Sequence, residues 1–240
     1  TLFEFQKDGV KGAINKMNAH NGCIIADSVG LGKTFEALAV IKYFELLNYR
    51  VLVLCPKRLR ENWTVYQAQN NSELNPFIAD RFSYTVLSHT DLSRDSGFSG
   101  DVKLETINWG NYDLVVIDES HNFRNNTNSK RDEAGNIIRK SRYERLLEDI
   151  LKTGIKTKVL LLSATPVNNH LKDLRNQLYL LTEGKDNAFA DSLGVASLKE
   201  TLKSAQTSFT NWAKKHKNRK TSDLLDELGS GFFKLLDELT

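Results

Sequence analysis

Five short apolar runs punctuate the chain: GCIIA (Gly22 to Ala26), RVLVLC (Arg50 to Cys55), YTVL (Tyr84 to Leu87), DLVVID (Asp113 to Asp118) and KVLLLSA (Lys158 to Ala164). Inside them apolar residues follow one another without polar alternation. A strand with one wet face alternates; a strand covered on both faces does not. The runs therefore predict a mostly parallel sheet between two layers of helices. Segments of helical period fill the intervals: Phe3 to Asn18, Lys33 to Leu47, Leu59 to Gln69, Ser141 to Lys152 and Leu171 to Leu181. Strand–helix alternation implies an α/β fold with right-handed crossovers. In such sheets ligands bind beyond the carboxyl ends of the strands.

Three stretches leave this pattern. Asp91 to Asn111 is polar and reads as a loop or short insertion. Asn122 to Gly135 is rich in Asn and charge and reads as mobile. From Glu183 onward no strand-like run occurs, and charged segments of helical period take over. The expected organisation is an α/β lobe over 1–182 with a C-terminal helical extension over 183–240.

Composition narrows the class. With 240 residues and 40% hydrophobic side chains, the chain can bury a sizeable core. A net charge of +3 permits a nucleic-acid partner without requiring one, so the position of basic clusters matters more than their total. Cys23 and Cys55 lie inside apolar runs, where buried reduced thiols and a reducing compartment are expected. No apolar run reaches the length of a membrane span, and no signal peptide opens the chain. A cytoplasmic protein is expected, nucleoid-associated in a bacterium. The start at Thr1 suggests a piece of a longer protein.

The chemistry-bearing residues cluster at the predicted strand ends. DSVGLGKT (Asp27 to Thr34) follows a strand and opens a helix. Gly30 and Gly32 let backbone N–H groups turn toward phosphates, and the helix adds its positive N-terminal end. Lys33 can reach the β- and γ-phosphates and the Thr34 hydroxyl can ligate Mg2+. Asp27 stands where a phosphate loop usually has Gly or Ala. In DLVVIDESHNFRN, Asp118 is placed to hold the magnesium shell and Glu119 to orient and deprotonate an attacking water. His121 is a candidate for coupling the site to moving parts. In LLLSATPVNN, Ser163 and Thr165 end a strand where hydroxyls can sense the γ-phosphate; taken alone, this is an ordinary strand-to-loop turn.

Lys57, Arg58 and Arg60 in CPKRLRENW read either as a solvated helix start or as a phosphate-backbone contact. SHTDLSR, with His89 and Thr90, has the same ambiguity. The basic run Lys214 to Lys220 reads as a solvated helix end. Gln6 in FEFQKDGV carries an amide that can donate to and accept from an adenine edge, which would select ATP.

Taken in order, these pieces resemble the first RecA-like lobe of the superfamily 2 helicases, and most closely their Swi/Snf-like branch of DNA translocases. The carrying motifs are FEFQKDGV, DSVGLGKT, VLVLCPKRLRENW, VVIDESHNFRN and LLLSATPVNNHLKDL, spanning Leu2 to Leu181. The branch commonly has Asp at the position of Asp27, Asn at Asn125 and Asn-Trp at Asn62 and Trp63. Ser28, Val29 and Ser120 depart from its pattern, as does SAT in the last motif. The resemblance implies a RecA-like P-loop domain with bound ATP and Mg2+ and a double-stranded DNA track. It also implies a second RecA-like lobe, absent here, that would supply an arginine finger. Hydrolysis by this lobe alone is then expected to be weak, and 183–240 corresponds to the family's helical protrusion. A nucleotide-gated switch without translocation and an RNA helicase of the same superfamily are the alternatives; Glu119 argues against a pure switch, which needs no base.

Overall fold

A computed structural model of the chain describes residues 2–28, 30–70, 73, 75–125, 128–153, 155–168, 170–214 and 220–240. Val29 and positions 215–219 of the basic run lie outside the described residues. In chain order the elements are α1 (Glu4–His20), β1 (Gly22–Ile25), α2 (Lys33–Leu46), β2 (Val51–Cys55), α3 (Arg60–Thr64) and β3 (Tyr84–Ser88). Then come a small hairpin β4 (Phe98–Ser99) and β5 (Val102–Lys103), β6 (Leu114–Ile117), and a second hairpin β7 (Lys130–Arg131) and β8 (Ile137–Arg139). Next are α4 (Arg142–Glu144), running on into a π-helical stretch Arg145–Leu151, β9 (Lys158–Leu162) and α5 (Lys172–Leu181). The tail holds α6 (Ala190–Leu193), α7 (Leu198–Lys214), α8 (Thr221–Glu227) and α9 (Ser230–Leu239).

The five apolar runs form one sheet in the order β1-β9-β6-β2-β3, and every pairing in it is parallel. Alternate residues feed opposite faces. Cys23, Ile25, Val53, Val116 and Leu160 pack with α1, α2 and Trp63 of α3. Ile24, Leu54, Val115, Ile117 and Leu161 pack with Tyr143, α5 and the tail. Both faces are covered, which is why the runs lack polar alternation. Each fully buried Val, Leu or Ile contributes about 1.5–3 kcal/mol to this core. Cys23 and Cys55 are buried and unpaired, and burial pushes both thiols up to about 12. No helix among the described residues is long and apolar enough to cross a membrane.

One expected helix is shorter than its periodicity, and the irregular segments show what orders them. The helix expected over Leu59 to Gln69 ends at Thr64. Beyond it the chain serves the sheet edge: Gln67 Nε2 donates to Tyr84 O at 2.5 Å and Ala68 N to Phe82 O at 2.8 Å. These donors occupy the start of β3 and the residues before it, at an edge whose open carbonyls would otherwise invite another chain. The polar stretch Asp91 to Asn111 is ordered around Asp91, which accepts from Ser88 N and Ser99 Oγ and pairs with Arg94. Within the stretch read as mobile, Asn122 to Gly135, positions 126–127 lie outside the described residues and Lys130–Arg131 form β7. The tail folds back: Leu198, Leu202, Leu224, Phe232 and Leu239 share one buried cluster with the sheet. Lys16 Nζ donates to Thr240 O at 2.6 Å, tying α1 to the last residue of the described chain.

Candidate functional site

Sheet order assembles the site. β9 lies between β1 and β6, so the phosphate loop after β1, Ser163 after β9 and Asp118 after β6 emerge side by side at the carboxyl edge. These residues are up to 136 positions apart in the chain and become neighbours only through parallel pairing.

Gly30 and Gly32 have φ of 88° and 86°, the left-handed region that L side chains avoid. At Gly32 a Cβ would also lie 2.6 Å from Gln6 Nε2. Lys33 Nζ donates to Asp27 O at 2.7 Å and to Ser28 O at 3.0 Å, so the loop wraps its own ammonium. Thr34 follows in the first turn of α2, partly exposed. Gln6 is buried, and its amide is engaged within the chain: Oε1 accepts from Phe3 N at 3.0 Å, and Nε2 donates to Leu31 O at 2.9 Å. It thus ties α1 to the phosphate loop and presents no open amide edge in this conformation.

Asp118 is held by two donors. Trp63 Nε1 donates to Oδ2 at 3.0 Å, and Glu119 N to Oδ1 at 2.9 Å. Burial raises its carboxyl above the usual range, while the indole bond and the charge of Lys33 pull it back. Glu119 sits in the left-handed region at φ 50°. Its Oε2 lies 3.2 Å from His121 Nδ1, and the same ring nitrogen is 3.4 Å from Ser163 Oγ. Thr165 N donates to Ser163 Oγ at 3.1 Å. Glu119, His121, Ser163 and Thr165 therefore form one connected chain.

The residues expected to meet nucleic acid divide. Lys57, Arg58 and Thr90 are exposed at the carboxyl ends of β2 and β3. Arg60 and His89 are not available. Arg60 turns inward, its Nη2 donating to Ser99 O at 2.9 Å and to Val86 O at 3.4 Å. His89 is 3% exposed, packs edge-on to Phe123 at 4.9 Å, and is pushed down to about 4 by desolvation. The local context of both leaves open a contact with phosphate, but Val86 and Ser99 engage Arg60 and Phe123 packs on His89.

Three further residues belong to the site. Trp63 is a donor to Asp118, although its sequence context points only to packing. Glu36, 1% exposed, has a carboxyl raised to about 7 by burial and by the nearby Asp27. It lies two residues past Thr34, on the buried side of α2. Gln177 is fully buried and joins two motifs: Oε1 accepts from Ser120 Oγ at 2.8 Å, and Nε2 donates to Pro166 O at 2.6 Å. An amide inside an otherwise apolar helical stripe is the signal that marks it.

The site fits a nucleotide and a hard divalent cation. Among the described residues no carboxylate pairs directly with Lys33, which leaves its charge free for an anion. The Thr34 hydroxyl and Asp118 carboxylate are oxygen donors of the kind Mg2+ takes. A cation would also offset the cost of burying the Asp118 charge.

A family model described as SNF2-related domain matches residues 5–228. A Bacillus subtilis protein named uncharacterized ATP-dependent helicase YqhH is 29% identical over 192 residues, covering 77% of this chain and 30% of that protein. The mouse DNA annealing helicase and endonuclease ZRANB3 is 29% identical over 158 residues, covering 61% of this chain and 14% of that protein. A solved Sulfolobus solfataricus SWI2/SNF2 ATPase core in complex with dsDNA aligns with 95% of this chain and 43% of its own, at TM-score 0.54 and 19% identity. That likeness establishes a shared fold. The chain spans less than a third of the length of these two curated relatives.

Proposed function

The chain belongs to the SNF2-related domain family, and from that premise we propose that it is the ATP-binding lobe of a nucleic-acid-dependent ATPase motor that tracks along double-stranded DNA. One observation carries the reading. The order β1-β9-β6 brings Lys33, the Asp118–Glu119 pair and the His121–Ser163 contact to one sheet edge. A binding module would need only the first of these.

The roles follow from position. Lys33 would leave the carbonyls of Asp27 and Ser28 for the β- and γ-phosphates, and the N–H groups of the loop would face the same oxygens. Mg2+, held through Thr34 and Asp118, would neutralise charge on the phosphates. Trp63 fixes the Asp118 carboxylate by its indole N–H. Glu119 would take the proton of the attacking water at its carboxylate. The His121 ring links that carboxylate to Ser163, which gives the protein a route from nucleotide state to the neighbouring strand. Lys57, Arg58 and Thr90, exposed beside this edge, would meet the phosphate backbone.

A second RecA-like lobe would supply the arginine finger, an effect of about 10³-fold or more. The test is therefore the ATPase rate of a polypeptide carrying both lobes, with and without nucleic acid. Stimulation by duplex DNA above that by single-stranded DNA or RNA is expected. Absence of stimulation by any nucleic acid would remove the motor reading, and preference for RNA would move the chain to the RNA helicases.

A further inference from the structure

The β7–β8 hairpin follows directly on the Asp118 motif, and the site described above does not use it. It is well formed. Asp132 N donates to Asn136 O at 2.9 Å and Gly135 N to Asp132 O at 3.0 Å, closing the turn. Asn136 N and Nδ2 donate to the two oxygens of the Asp132 carboxylate. The base is pinned as well: Ser141 N donates to Ser129 Oγ at 2.8 Å, and Ser129 in turn donates to Glu144.

Its surface is costly for a ribbon that faces water. Lys130 and Arg139 are direct cross-strand partners, and like charges placed opposite one another destabilise a ladder. Neither makes an ion pair among the described residues, whereas Arg131 pairs with Glu144 and Lys140 with Asp149. The acid at the turn, Asp132, is occupied locally. Arg131 pairs with Ile137 across a register shift in the ladder, and Ile137 and Ile138 stand 44% and 69% exposed. A two-stranded ribbon is marginal by itself, yet this one presents two unpaired cations and two bare isoleucines.

Location supplies the partner. The helix after the hairpin, α4, packs on the 3-10 turn His89–Ser93 behind β3, and the charge of Arg142 reaches His89. The base of the hairpin is therefore tied to the turn after β3 that exposes Thr90. Unpaired cations next to small apolar side chains match a phosphate–sugar backbone. A two-stranded ribbon also has the width of a duplex groove.

We propose that the β7–β8 hairpin is an additional contact of this lobe with duplex nucleic acid, in which the cross-strand pair Lys130 and Arg139 engages adjacent backbone phosphates. The proposal rests on the nucleic-acid reading given above. The experiment is fluorescence anisotropy of a labelled random-sequence duplex DNA with the whole chain over a salt series. It compares the wild type, the double variant Lys130→Ala/Arg139→Ala, and Lys203→Ala on α7 as a surface-charge control. All three substitutions are at exposed positions, and thermal melts check that the variants fold. Each phosphate contact contributes about 0.9 to the slope of log K against log salt, so the double variant should lose about 2 from that slope and bind roughly tenfold or more weakly. Lys203→Ala should leave both unchanged. A double variant with wild-type slope and affinity overturns the hairpin proposal while the motor reading stands. A wild type that binds no nucleic acid also overturns the hairpin proposal, and the motor reading then rests on the ATPase test of the two-lobed polypeptide. Wild-type binding to single-stranded RNA but not to duplex DNA overturns the duplex assignment.

Discussion

Trp63→Phe deletes the indole N–H that donates to Asp118 Oδ2 at 3.0 Å, while a ring remains to pack edge-on against Tyr84. The bond is to a buried carboxyl, and hydrogen bonds to charged groups are worth about 1.5–3 kcal/mol. The smaller ring also loses packing, so a single variant overstates the bond. A double-mutant cycle with Asp118→Ala separates the two effects, because packing lost by Phe is lost in both backgrounds. Urea denaturation of the four proteins without nucleotide should give a favourable coupling of about 1.5–3 kcal/mol at neutral pH. The pH dependence adds a second check. The indole bond favours the charged carboxylate and lowers its raised pKa. The cost of Trp63→Phe should therefore be largest where Asp118 is ionised and shrink as acid neutralises it. Additivity within about 0.5 kcal/mol, or a cost independent of pH, would refute the role assigned to Trp63.

Two other outcomes are expected. Glu36 keeps its proton to about 7 when folded, against an ordinary value of 4.5, so the unfolded chain releases it first and stability falls as pH rises between those values. Glu36→Gln removes that fall; thermal melts across the window should show the wild type losing stability relative to the variant, and parallel curves would contradict the burial argument. Gly32→Ala combines left-handed strain of about 1–2 kcal/mol with a Cβ 2.6 Å from Gln6 Nε2, whereas Gly30→Ala meets open space and carries the strain alone. Urea melts should rank Gly32→Ala as the costlier of the two, and equal costs would contradict the close approach of Gln6.

The strands were legible because burial on both faces leaves an unbroken apolar run, as at Val51 to Cys55 and Leu114 to Ile117, too short for a helix and rich in Val. The phosphate loop was legible because Gly30, Gly32 and Lys33 answer a local need. What stayed hidden depends on neighbours distant in the chain. Arg60 looks like a surface cation until Val86 and Ser99 offer their carbonyls. The helix after Leu59 continues by periodicity, but Gln67 is drawn away to β3. The β7–β8 hairpin leaves no strand signal because its strands are short and bury nothing. The Trp63–Asp118 bond spans 55 residues and leaves no periodic trace.

The interposed β9 also sets a timetable. Gly22 in β1 pairs with Val159 in β9, and α1 and α2 cannot supply that missing edge. During translation β1 is made before β9, its one ladder partner among the described residues. At roughly 5–20 residues per second, β1 waits on the order of ten seconds for β9 to leave the ribosome. Such non-local parallel pairing is intrinsically slow, and the waiting edge is exposed to wrong partners. The strand that sets the Gly30–Lys33 loop beside Asp118 and Glu119 thus also leaves the nascent chain open to misassembly until it is made.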